Sequence, residues 1–247
     1  MTSTRSILVG LTATALLGLP PALANASGGH ATAPSGASKH TAGAGVTGKR
    51  HITTIWWLDF SHMRPAGRMV DILGQVASHR KGQSGALAGA RVRLYRQLDG
   101  SSRWVYLGSQ RTSAADMPEF SFTTQARQRA HYKVTFAGDS SFGPSSAVTW
   151  VNVYRIFSGV ITDGTNFANL NGHVTPFYTH KAISLQKRRC PSCSYTTVQT
   201  KTTGTGGTYG FSLPAPAHGR WWWRVTTAGT GAYISSYGGT YTTQLGP

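Results

Sequence analysis

The chain has 247 residues, with 24 Lys and Arg against 7 Asp and Glu, a formal charge of +17, and 11% aromatic residues. So few carboxylates leave little material for a glycosidase pair or a calcium cage, both of which are built from Asp and Glu. The cation excess favours polyanionic partners, or serves only to keep an exported protein soluble.

Residues 1–26 have the three parts of a secretory signal peptide. Arg5 supplies the positive start, "ILVGLTATALLGL" (Ile7 to Leu19) the apolar region, and the small residues ending at Ala24 or Ala26 the cleavage site. The apolar run is too short to span a bilayer, and no later segment approaches the roughly 20 apolar residues that would. The mature chain is therefore expected to have no transmembrane anchor and to be secreted or extracellular, with cell-wall association open. Residues 27–50, rich in Gly, Ala, Ser and Thr, predict a disordered linker.

The remainder divides into two similar halves, residues 51–155 and 156–247. "ILGQV" (Ile72 to Val76) answers "NLNGHV" (Asn169 to Val174), and "VRLYR" (Val92 to Arg96) answers "ISLQK" (Ile183 to Lys187). "EFSFTT" answers "TYGFSL", and "HYKVTFAGDSSFGPSS" answers "WWRVTTAGTGAYISSY", always in the same order. Each block alternates apolar with polar residues and is rich in Val, Thr, Tyr, Phe and Trp, as half-buried strands are. Turn clusters such as "LDGSS", "TGTGGT" and "AGTGA" separate them. The pattern predicts an all-β fold of two tandem Ig-like β-sandwich repeats, joined by a short link after "AVTWVNVY" (Ala147 to Tyr154).

The order "NGHVTP … AISLQKR … TYGFSLPAPAHGRWWWRVTTAGTGAYISS" resembles the Ig-like or fibronectin-III-like repeats of exported bacterial proteins. The resemblance runs from His51 to the C-terminus and is closer in the second half. It implies a sandwich fold and an extracellular, non-catalytic role as spacer, adhesion module or carrier, and it fixes no ligand.

Catalytic constellations are scarce. Among the seven acidic residues only Asp116 and Glu119 are close, in a loop before a strand, and no Gly-x-Ser-x-Gly elbow or His-Glu-x-x-His helix occurs. No enzyme activity, cofactor or metal is expected; a Cys2His2 zinc site from His173, His180, Cys190 and Cys193 is the weaker reading of those residues. Asp139, in "AGDSS", is answered by Thr230, so a repeated calcium site is absent. Nor does any nucleic-acid-binding signature accompany the charge, and no specific nucleic acid is expected.

Cys190 and Cys193 form a Cys-x-x-Cys where the first half has a hairpin turn. A structural disulfide is expected there, and a thiol–disulfide redox centre with Arg188 and Arg189 lowering the thiol pKa is the alternative. The triplet Trp221, Trp222 and Trp223 sits on one strand. Alternation turns Trp221, Trp223 and Val225 to the core and Trp222 and Arg224 outward. Trp222 and Arg224, together with the aromatic Trp104 and the basic pair Arg188 and Arg189, are the candidate binding surface. The partner expected for it is an anionic wall polymer or polysaccharide, and no oligomeric state is implied.

Overall fold

The computed structural model describes residues 50–244 except 59–60, 81–82, 165 and 177. The expected signal peptide and nearly all of the expected linker lie outside the described residues. No helix among them is long and apolar enough to cross a membrane.

The first half is built from β1 (Ile52–Trp57), β2 (Met63–Pro65), β3 (Met69–Arg80), β4 (Gln83–Ala86), β5 (Arg91–Leu98), β6 (Val105–Arg111), β7 (Phe120–Gln125), β8 (Ala130–Phe136) and β9 (Ser145–Tyr154). The second half has β10 (Ile156–Asp163), β11 (Phe167–Thr175), β12 (Ala182–Arg188), β13 (Thr196–Thr202), β14 (Thr208–Pro214), β15 (Arg220–Thr227), β16 (Ser236–Tyr237) and β17 (Tyr241–Gln244). One 3-10 turn at Thr205–Gly207 is the only helical element among the described residues. Every repeated block read from the sequence contains a strand, and the longest pair, from His131 and from Trp222, continues into the following loop.

In the first half, β3 pairs with β1, β7 and β4, and a second sheet runs β2-β9-β8-β5-β6. In the second half, β10-β11-β14 is one sheet, and β13-β12-β15 is the other, with β16 and β17 both paired to β15. All strand pairings are antiparallel except the short β2–β9 contact, and the isolated His51–Phe142 bridge is also parallel. The sheets pack face to face, because alternation along each strand supplies one apolar face to bury against another. In β8, Ala130, Tyr132, Val134 and Phe136 are buried while His131, Lys133 and Thr135 are only partly covered. In β15, Trp223 and Val225 are buried and Trp221 packs against the same cluster. The two hydrophobic clusters centre on Val70, Ile72, Phe120 and Tyr132 in the first half and on Leu170, Leu185, Phe211 and Trp223 in the second.

The halves match in fine detail. Leu94 pairs with Val134 as Leu185 pairs with Val225, and Tyr95 with Lys133 as Gln186 with Arg224. Gly74 sits opposite Phe120 and Gly172 opposite Tyr209, and each aromatic ring lies across its glycine. A Cβ on Gly74 would come within 2.5 Å of the Phe120 ring and of the Trp56 carbonyl. One on Gly172 would come within 2.7 Å of the Tyr209 hydroxyl, which donates to the Ser158 carbonyl at 3.0 Å. The repeated glycine is therefore the gap through which an aromatic side chain crosses the strand.

A single residue, Arg155, separates β9 from β10. It is 5% exposed, and its guanidinium lies between the rings of Tyr178 at 4.5 Å and Tyr233 at 4.3 Å. Nε and Nη1 of Arg155 have no hydrogen-bond partner among the described residues, and Nη2 reaches Thr230 Oγ1 only at 3.5 Å. Burial pushes its pKa below the ordinary arginine value, and the two tyrosines oppose that shift. The π-faces of the rings stand in for part of the lost hydration. The loop carrying Tyr233 also closes the first core. Arg129 N–H donates to the Ala232 carbonyl at 2.8 Å, Ile234 N–H to that of Val153 at 2.9 Å, and the Tyr233 hydroxyl to that of Arg127 at 2.9 Å. The equivalent loop of the first half makes the matching contact with His51, whose carbonyl accepts from Gly143 N–H at 2.8 Å.

Candidate functional site

The outward face of the β12–β15 sheet gathers most of the residues singled out from the sequence. Alternation projects Gln186 and Arg188 from β12 and Trp222 and Arg224 from β15, and the register sets Gln186 beside Arg224 and Arg188 beside Trp222. Two tyrosines from neighbouring segments complete the cluster. The Arg224 guanidinium lies 4.0 Å from the Tyr195 ring centre and 4.9 Å from that of Tyr237. Arg188 lies 4.7 Å from the same Tyr195 ring. One tyrosine ring thus holds two guanidinium groups near each other.

Hydrogen bonds fix this arrangement. Arg224 Nε donates to Gln186 Oε1 at 2.8 Å, and Gln186 Nε2 donates to Thr197 Oγ1 at 3.2 Å. Tyr195 and Thr240 share a hydroxyl contact at 3.3 Å. Burial lowers the Arg224 pKa, Tyr195 and Tyr237 counter it, and the like charge of Arg188 lowers it further. Two cations at such a site repel one another, and an anion arriving between them removes that penalty while gaining charge-assisted hydrogen bonds.

Local backbone features place Tyr195. The β12–β13 pairing shifts register between Leu185 and Gln186, a bulge of the kind that re-aims side chains. The connection between these strands is closed by the Cys190–Cys193 disulfide, whose Cα atoms are 5.1 Å apart, and Cys193 N–H donates to the Cys190 carbonyl at 3.1 Å. The bond lies in the hairpin turn, as expected, and leaves neither sulfur as a thiolate for zinc. Among the described residues no group of three or more His, Cys, Asp or Glu is placed to hold a metal ion.

Other sequence candidates lie elsewhere. Arg189 is exposed and makes none of these ring contacts. Trp104 does not join the Trp222 cluster; it stands on the first half, with Lys133 Nζ 4.4 Å from its ring centre. Asp139 caps its own loop, accepting from Ser141 N–H at 2.8 Å and Phe142 N–H at 2.9 Å. Asp116 is exposed in the segment between β6 and β7, and the Glu119 N–H is held by Ser113 Oγ. Reading by strand alternation missed Tyr195, Tyr237 and Gln186. Of these, Tyr195 had a signal: it aligns with Trp104 just ahead of the following strand.

Fold and face together define an all-β protein of packed sheets whose outer surface carries stacked cations. No family model and no curated protein matches the sequence. Among solved structures it is similar to a tetra-tandem repeat in the extending region of a large adhesion protein, at 12% identity and TM-score 0.31 over 79% of this chain. This chain spans 49% of that one. It is also similar to the human OSCAR ligand-binding domain, at 12% identity and TM-score 0.28, covering 78% of this chain and 98% of that one. The D0-D1 domain of intimin gives 12% identity and TM-score 0.28, covering 77% and 96%.

Proposed function

We propose that the protein is a secreted, non-enzymatic binding or adhesion module. In this reading residues 51–155 and 156–247 form two Ig-like units, and the outer β12–β15 face recognises an anionic glycopolymer of the cell surface. One observation carries this: Arg188 and Arg224 are stacked on a single tyrosine beside Trp222, in a chain of charge +17. Guanidinium groups pre-placed by stacking lose little side-chain entropy on meeting a carboxylate or phosphate. Trp222 and Tyr237 offer aromatic surface for sugar rings next to those charges.

The chemistry available here is recognition. The cluster has two fixed cations, hydroxyls and rings, and no general base or nucleophile within it.

The test is retention of the mature protein on purified cell walls over a salt series. Salt-sensitive retention that drops at least tenfold in an Arg188→Gln/Arg224→Gln variant supports the assignment. Retention unchanged by that variant, or none at low salt, refutes it.

A further inference from the structure

The first half carries a single cation-on-ring pair in the corresponding place, with Gln97 where the second half has Arg188. Lys133 occupies the position of Arg224: each lies one residue before the buried valine, Val134 or Val225, that pairs with Leu94 or Leu185. Trp104 occupies the position of Tyr195, as the residue immediately before β6 or β13. The bulge also recurs, between Leu94 and Tyr95 in the β5–β6 pair and between Leu185 and Gln186 in the β12–β13 pair. The result in each half is a cation held over an aromatic ring on the outer sheet face, 4.4 Å for Lys133 on Trp104 and 4.0 Å for Arg224 on Tyr195.

The chemistry around each pair is similar without being identical. Lys133 also lies 5.5 Å from the Tyr95 ring, which meets Tyr106 edge-on at 5.6 Å. Tyr106 is 54% exposed, as Tyr237 is 51% exposed in the second half. The ring changes from Trp to Tyr and the cation from Lys to Arg, yet the pairing of the two types is kept. Core packing does not require this, since both side chains project from the face opposite the buried cluster.

We infer that the protein has two anion-binding stations of one design, Trp104–Lys133 and Tyr195–Arg224, and engages an anionic glycopolymer at both. The inference rests on the proposed function and adds its valence. The single-residue joint at Arg155 holds the stations at a limited range of separations, so that once one is occupied the other meets its ligand at high effective concentration. The group recognised is a carboxylate or phosphate on a sugar or polyol chain.

The experiment is calorimetric titration of the mature protein with a short oligogalacturonate and, separately, a short poly(glycerol phosphate), which distinguishes a carboxylate from a phosphate source. Two sites per chain are expected with one of these ligands. Lys133→Gln and Arg224→Gln should each leave one site, the double variant none, and Arg68→Gln, an equal charge loss at an exposed turn residue, should leave both. With the long form of the same polymer, either single variant should weaken binding at least tenfold. Unchanged far-UV circular dichroism confirms that each variant is folded, and Trp104→Ser serves as a second probe of the first station. One site per chain, lost with Arg224→Gln and unaffected by Lys133→Gln and Trp104→Ser, overturns the second station while leaving the proposed function intact. No binding of either ligand by the unmodified protein overturns both.

Discussion

Replacing Trp223 with Ala tests the in–out reading of the tryptophan triplet. Trp223 is 2% exposed, and its Nε1 donates to Thr243 Oγ1 at 2.8 Å. Thr243 is itself fully buried and donates onward to the Pro214 carbonyl at 2.9 Å. The indole also meets Trp221 edge-on, with centroids 5.7 Å apart. Truncation removes a large buried side chain and leaves a cavity, at a cost of about 3–5 kcal/mol. The lost hydrogen bond adds about 1 kcal/mol, since Thr243 keeps its donation to Pro214. The cavity therefore dominates, and Trp223→Phe, which refills most of it, should recover more than half of the loss. Trp222→Ala, on the outer face, should cost below about 1 kcal/mol. Urea titration followed by far-UV circular dichroism measures all three. Equal losses at Trp222 and Trp223, or a Trp223→Ala protein of unmodified stability, would refute the assignment of faces.

Gly172→Ala should destabilise by about 1–3 kcal/mol, because the new methyl meets the Tyr209 hydroxyl and the Ser158 carbonyl; a thermal melt no lower than that of the unmodified protein counts against the crossing-ring explanation. Burial raises the pKa of Tyr132, Tyr178, Tyr209, Tyr233 and Tyr241 above the ordinary value of 10.0. These groups keep their proton more tightly when folded, so their contribution is complete below about pH 10 and is lost as pH rises through the folded values. Denaturation midpoints should accordingly fall as pH rises above about 10, and a midpoint unchanged there counts against the burial of these tyrosines. Arg155→Met should stay within about 1 kcal/mol of the unmodified protein, since it orphans no carboxylate, whereas Arg155→Ala should lose about 2 kcal/mol more by leaving a gap between two tyrosines. Calorimetric melting separates these variants, and a Met variant no better than Ala contradicts the packing role. Cys190→Ser/Cys193→Ser should lose less than about 2 kcal/mol, the closed loop being short, while binding at the Tyr195 station weakens severalfold in the same titration.

The strands were legible because alternation and duplication reinforce each other. "HYKV" and "WWRV" each mark buried and outward positions, and aligning them removes the ambiguity that either has alone. Trp222 and Arg224 were legible for the same reason, whereas Arg188 stood out only as a basic residue and its place beside Trp222 comes from strand pairing. Tyr195 and Tyr237 were not, because each comes from a different neighbouring segment and its place over Arg224 depends on pairing and on a bulge that no local pattern announces. Arg155 was the least visible. In the sequence it is one more cation in a basic chain, and its burial is created only when Tyr178 and Tyr233 close on it from distant parts of the second half.

That joint makes the two halves share a hydrophobic cluster. Tyr233 belongs to the second half by sequence but is part of the first hydrophobic cluster, and Ala232 packs against the same cluster. Melting of the second sandwich strips these residues away and opens the base of the first, whereas melting of the first takes from the second cluster none of its own buried residues. The contacts across the joint are lost whichever unit melts, so folding of either unit stabilises the other by the same free energy. Because Tyr233 lies late in the chain, the first hydrophobic cluster is complete only once the loop bearing Tyr233 has folded onto it.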